Sequence, residues 1–162
     1  MLKYDAKFNR IGILGFIKSI FFPTPFNAVI WVRFYQWFER IHLPTFIAYR
    51  YLLHIHGLEF AKNVSIDKGL RLPHSRGVLF TKGTRIGKYC SIYGNVRFTR
   101  NFDNVPVIGD NVLIGDSVVF TGKGKLGNNV TVGAGSVVTK TFGDNVIIAG
   151  NPAKVIINKQ SC

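Results

Sequence analysis

The chain has 162 residues, a formal net charge of +13 and only two cysteines, which allows one domain with a real core and excludes a disulfide scaffold. Seventeen glycines without a collagen period, in a chain that is 47% hydrophobic, exclude disorder and suit a backbone that turns often. The charge favours anionic partners, but it is spread over both halves. No helix-turn-helix, zinc pattern or aromatic single-strand platform accompanies it, so no nucleic-acid partner is predicted.

Residues 1–56 are aromatic and helically spaced, with no glycine between Gly15 and Gly57. Lys3, Lys7 and Arg10 precede the apolar run Ile11 to Ile17, yet Lys18 breaks it and no small-residue cleavage site follows, against a signal peptide. The longest charge-free stretch, Ser19 to Val32, is too short to span a bilayer and holds Pro23 and Pro25. A short helix is predicted from Ile11 to Phe22. Thr24 and Pro25 read as the N-cap and first position of a second helix. In it Trp31, Phe34, Tyr35, Phe38 and Ile41 form an apolar stripe, with Arg33, Gln36, Glu39 and Arg40 mostly opposite. Pro44 starts a third helix, Thr45 to about His56, which Gly57 ends. His42, His54 and His56 read as structural. Two roles suit this segment: packing on the end of a solenoid or on a neighbouring subunit, and peripheral contact with a membrane through Phe16, Phe21 and Phe22 beside Lys3, Lys7, Arg10 and Lys18.

Residues 57–157 read in sixes, before a short tail at 158–162. The repeat runs Phe60-Ala-Lys-Asn-Val-Ser, Ile66-Asp-Lys-Gly-Leu-Arg, Leu72-Pro-His-Ser-Arg-Gly, and resumes through Ile86, Ile92, Phe98, Ile108, Ile114, Phe120, Leu126, Val132 and Val138. A period of six is neither helical nor an alternating strand. It suits a parallel solenoid of very short strands, three per coil, with the opening residue inside. Two interruptions are expected: a spacing of eight between Val78 and Ile86, assigned to Lys82-Gly83-Thr84, and an excursion from Thr99 to Val107. Cys90 takes a small hexad position, as in a reduced cytoplasmic protein. His74 is the one histidine of the solenoid, at a corner beside Pro73. Glu59 stands roughly one coil earlier, where a carboxylate would orient the imidazole and raise its basicity for removing a proton from an alcohol.

On these residues the chain resembles the hexapeptide-repeat acyltransferases, within them the serine O-acetyltransferase-like branch, nearest to the acetyltransferases of colanic acid and capsule biosynthesis. The similarity runs from the Phe26-Asn-Ala-Val and Arg33-Phe-Tyr-Gln-Trp stretch to Ile156. Its most specific marks are Glu59 with His74, Val132-Gly-Ala-Gly-Ser-Val-Val and Ala149-Gly-Asn-Pro-Ala-Lys-Val. The resemblance implies a left-handed parallel β-helix with a short helical N-terminal segment, working as a homotrimer with acetyl-CoA and no metal. It implies His74 as general base, matching the His of the family's Asp-His-x-x-Gly turn, and Glu59 as the carboxylate that orients it. Asp116 and Ala134 match positions lining the acetyl-CoA groove. Gly133, Gly135, Asn151, Pro152 and Lys154 would neighbour the adenine end, and Lys154 and Lys140 would meet phosphates.

Departures from the serine enzymes shape the acceptor. Pro73 stands where they carry a second Asp, and Asn104 and Val105 match an Arg-His pair of their acceptor loop. The expected acceptor is therefore a sugar hydroxyl in surface polysaccharide biosynthesis, as a lipid-linked oligosaccharide or nucleotide sugar at the cytoplasmic membrane face. Arg76, Tyr93, Asn95, Arg100 and Asn101 are the candidate acceptor contacts. The alternatives are serine O-acetylation for cysteine synthesis and a non-catalytic membrane- or anion-binding module. Zinc chemistry on such a solenoid would need three histidines, and this one has a single His.

Overall fold

Strands mostly two residues long wind the chain into a three-sided prism in the computed structural model, which describes residues 1–22, 24–99, 104–121 and 124–159. Each side is one sheet. The first holds Glu59–Phe60, Leu79–Phe80, Arg97–Phe98, Val119–Phe120 and Val137–Val138. The second holds Ser65–Ile66, Arg85–Ile86, Val107–Ile108 and Lys125–Leu126. The third holds Ser91–Ile92, Leu113–Ile114, Thr131–Val132, Val146–Ala149 and Lys154–Asn158. All pairings are parallel except the last, where Lys154–Asn158 runs back along Val146–Ala149. The β-solenoid expected from the period of six is the fold.

The residue opening each hexad is stacked inside, one column per sheet. Phe60, Phe80, Phe98, Phe120 and Val138 are in register and buried. The phenyl rings lie 5.4, 5.1 and 4.9 Å apart, within the range of favourable aromatic pairs. Ile66, Ile86, Ile108 and Leu126 form the second column, and Ile92, Ile114, Val132 and Ile148 the third. Cys90 is buried in the row of Leu70, Val112, Val130 and Val146, and burial pushes its thiol up to about 12. At neutral pH it is an inert core thiol.

The phase of the first interruption differs from the sequence reading. Phe80, Ile86 and Ile92 are each six apart, so Lys82-Gly83-Thr84 forms an ordinary corner. The two additional residues lie between Leu72 and Phe80, since Arg71 bridges Ser91 and Phe60 pairs with Phe80. Val78 and Phe80 are both apolar and buried, and periodicity alone cannot tell which of them opens the next strand. The turn carrying His74 is therefore where the first interruption falls. Of the second interruption, residues 100–103 lie outside the described set.

Four helices close the lower end: α1 (Leu2–Phe8), α2 (Ile13–Phe21), α3 (Pro25–Arg40) and α4 (Phe46–His56). Thr24 caps α3 by accepting from the Asn27 N–H at 3.2 Å, with Pro25 in the first turn. Gly57 ends α4 in the left-handed region at φ 58°. Tyr35 of α3 meets Phe60 edge-on at 4.9 Å, which extends the aromatic column into the helices. The buried face of α3 matches the expected stripe only in part: Tyr35 is buried and Trp31 and Phe38 pack against the core. Phe26, Val29, Ile30 and Arg33 also face in, while Phe34 and Ile41 are each 42% exposed. Arg33 can be interior because Asp5, in the unanticipated helix α1, neutralises it. Asp5 accepts from Arg33 Nε and Nη2 at 2.8 and 3.0 Å and from the Gly69 and Leu70 amides at 2.6 and 2.9 Å.

Candidate active site

The edge where the third sheet passes to the first gathers most of the predicted site. At each level one residue turns the backbone with positive φ: Gly57, Gly77, Asn95, Ser117 and Gly135, all between 54 and 71°. These residues stack through backbone bonds. Gly77 donates to Gly57 O at 2.8 Å, Asn95 to Arg76 O at 2.9 Å, Ser117 to Gly94 O at 2.9 Å and Gly135 to Asp116 O at 2.8 Å. The layers approach so closely that a Cβ on Gly115 would lie 2.7 Å from the Ala134 nitrogen. By contrast, a Cβ on Gly135 would meet nothing within 4 Å, so the outer rim is open. The amides of Gly94, Asp116 and Ala134, one above another, donate no hydrogen bond among the described residues. At about 4.8 Å per layer, the edge from His74 to Gly150 is roughly 19 Å long.

His74 stands at the foot of this edge. It is exposed, its ring centroid is 6.1 Å from that of Tyr93, and its Cβ lies 3.4 Å from where a Cβ on Gly94 would be. The turn beneath it is anchored by a buried relay. Asn27 Nδ2 donates to Ser19 O at 2.7 Å, which leaves its Oδ1 to accept from His56 Nε2, also at 2.7 Å. His56 Nδ1 is then the acceptor facing Ser75 Oγ at 3.4 Å, directly beside His74. Burial, with the charge of nearby Arg76, holds the His56 ring below its ordinary pKa, so it is neutral.

This ring makes stability pH-dependent. Above pH about 6.5 its contribution is complete; below that, the unfolded chain takes up a proton that the native ring resists, and stability falls until the native pKa is passed. Urea melts should show a lower midpoint at pH 5.5 than at pH 7.5. His56→Gln, which can keep the Asn27 bond, should lose that part of the difference.

Arg76, Tyr93, Asn95, Asp116, Gly133, Ala134 and Gly135 all lie on this edge, and Asn151 and Pro152 sit at its upper end with a cis peptide bond between them. Lys154 begins the returning strand beside them. Two predicted residues do not join the group. Lys140 follows Val137–Val138 toward the next edge, where its Nζ sits 5.6 Å from the Phe142 ring. Glu59 and His74 make no hydrogen bond with each other, because Glu59 projects outward from the first strand, in register with Leu79, while the His74 ring is turned toward Tyr93. Arg100 and Asn101 lie outside the described residues. Sequence reasoning missed the stacked free amides and the His56–Ser75 support. The first is a property of backbone geometry, and the second joins segments far apart in the chain.

Residues 106–140 match the family model of the bacterial transferase hexapeptide, six repeats. A serine acetyltransferase of Synechococcus elongatus is 28% identical over 139 residues, which covers 81% of this chain and 56% of the relative. Serine acetyltransferase 4 of Arabidopsis thaliana is 35% identical over 106 residues, 63% of this chain and 30% of the relative. The chain thus spans about half or less of the length of these curated relatives. The crystal structure of the serine acetyltransferase from Brucella abortus superposes with a TM-score of 0.84 at 23% identity, over 97% of this chain and 68% of that one. At that identity the likeness speaks for the fold, and its coverage includes the N-terminal helices. The repeat matched at residues 106–140 and the observed coils together make the fold a parallel β-helix of hexapeptide repeats.

Proposed function

We propose that the protein is an acetyl-CoA-dependent O-acetyltransferase with His74 as general base. The observation that carries this reading is the edge itself. An exposed imidazole stands in the one lengthened turn of that corner, at the foot of a narrow track of small residues and unbonded amides that ends beside Lys154. Such a track suits an extended thioester: the open rim at Gly135 leaves room alongside, and Lys154 would meet its phosphates. Acetyl-CoA would supply an acetyl group already activated for attack. The imidazole of His74 would take the proton of the acceptor hydroxyl as that oxygen attacks, then return it to the departing sulfur. Stacked amides at Gly94, Asp116 and Ala134 are the candidate donors to the charge that develops on the carbonyl oxygen. Glu59 would orient the ring once the acceptor is bound, since catalytic hydrogen bonds often tighten only then. A homotrimer, with this edge shared between neighbouring subunits in the cytoplasm, is part of the same reading. The exposed Val155, Ile156 and Ile157 of the returning strand give such a contact an apolar surface.

The two curated relatives described above are serine acetyltransferases, which favours L-serine, the alternative raised from the sequence, over the sugar hydroxyl of a surface polysaccharide. The sugar reading keeps one observation: Pro73, Asn104 and Val105 replace the charged residues that the resemblance associates with serine. Thiol release from acetyl-CoA, followed with L-serine and with neutral, amino and uronic sugars, separates the readings. Serine-dependent release is expected. Turnover with sugars alone would reinstate the polysaccharide reading, and an absence of release with every acceptor would leave a binding module.

A further inference from the structure

Helix α2 lies on the molecule with Ser19 inward and Phe16, expected from the sequence at the membrane, packed instead against Phe26. Ser19 is 2% exposed, whereas Ile13, Leu14 and Phe21 are 82%, 84% and 75% exposed, and Ile17 and Ile20 are each 49% exposed. At 100° per residue these five apolar side chains fill one continuous arc of about 120°, with Lys18 on its border. The orientation is locked. Ser19 Oγ donates to Gly15 O at 2.8 Å, Thr24 Oγ1 to Ser19 Oγ at 2.9 Å, and Asn27 Nδ2 to Ser19 O at 2.7 Å. Rolling the helix to bury its isoleucines would break the bonds to Thr24 and Asn27, while that to Gly15 lies within the helix.

The charge around this face has one sign. No acidic residue occurs between Asp5 and Glu39, and Asp5 is buried against Arg33. Lys3, Lys7, Arg10 and Lys18 are exposed and make no ion pair among the described residues. Lys7 and Arg10 join Arg71, Tyr4 and Tyr89 around a cavity of about 590 Å³. Arg10 is three residues before Ile13, hence within roughly 10 Å of the start of the apolar arc.

We propose that α2 seats the protein on an anionic bilayer, its apolar arc in the interface and the Lys7–Arg10–Arg71 cleft against lipid phosphates. The proposal stands apart from the acetyltransferase reading. Among the described residues no single helix is long and apolar enough to cross a membrane. A helix of nine residues rises only about 13.5 Å against a core of about 30 Å, so it would lie in the plane of the interface. A second copy of the chain on this face would oppose like charges, whereas an anionic surface complements them.

Flotation of the full chain with vesicles tests this. At 0.15 M salt the protein should float with phosphatidylcholine containing phosphatidylglycerol and much less with phosphatidylcholine alone. Leu14→Glu/Phe21→Glu, at exposed positions, should keep the circular dichroism and melting of the parent yet lower the vesicle-bound fraction about tenfold or more. Lys7→Glu/Arg10→Glu should weaken flotation and reduce its salt dependence. Failure of the parent to float with anionic vesicles would overturn the proposal, as would undiminished flotation of the Leu14→Glu/Phe21→Glu variant. An oligomer that this variant disperses, without vesicle binding by the parent, would assign the face to a second copy instead.

Discussion

Replacing His74 by alanine is expected to lower acetyl transfer by about 10²–10⁴-fold, the range for loss of a positioned general base, while melting stays unchanged. The ring is exposed and makes no hydrogen bond among the described residues, so truncating it leaves no buried partner unsatisfied. The decisive measurement is kcat/KM across pH beside a thermal melt. Loss of rate with an intact melt supports the assignment; retained turnover would remove His74 from the chemistry. Glu59→Gln belongs in the same series. Because no bond joins Glu59 to His74 in the free chain, its effect measures how far the pair tightens when the acceptor binds.

Asp5→Ala is the largest stability change expected, about 3–5 kcal/mol, because it strands a buried guanidinium. The Arg33 side chain is 6% exposed and that of Asp5 fully buried. Removing the carboxylate also orphans the Gly69 and Leu70 amides at the first coil. Arg33 keeps carbonyl partners at Ile66 and Asp67, both 2.6 Å away, but carbonyls do not cancel its charge. Urea melts of Asp5→Ala, Arg33→Met and the double variant form the check. The double variant should be milder than Asp5→Ala alone, since it leaves no unpaired buried charge. The Lys88–Asp110 pair, 3.9 Å apart and over 40% exposed on both sides, serves as a surface control and should matter by under about 1 kcal/mol.

The coil was legible in the sequence because one large apolar residue recurs at each inward position, and its vertical neighbours Phe60, Phe80, Phe98 and Phe120 share one column. Thr24, Pro25 and Gly57 were equally readable, since caps act locally. Phase at the His74 turn was not, because Val78 and Phe80 compete for the same inward role and only strand pairing decides between them. The inner face of α3 was misread in part, for a related reason. Hydrophobicity placed Arg33 outside, and its neutralising partner lies 28 residues away in a helix with no strong signal of its own. At the site, the resemblance named Asp116, Ala134 and His74, and the structure has them on one edge. Glu59 projects outward from its strand, and separation along the sequence did not reveal that direction.

The reversed strand Lys154–Asn158 has a consequence for how long such a rod can grow. A parallel coil ending in an open rung would invite the base of another molecule to continue it, end on end. Here the final rung on one side runs backwards, so an incoming rung that continued the coil's direction would have to pair with it antiparallel. With helices against the opposite end, the two ends of the rod do not match as successive rungs of one coil.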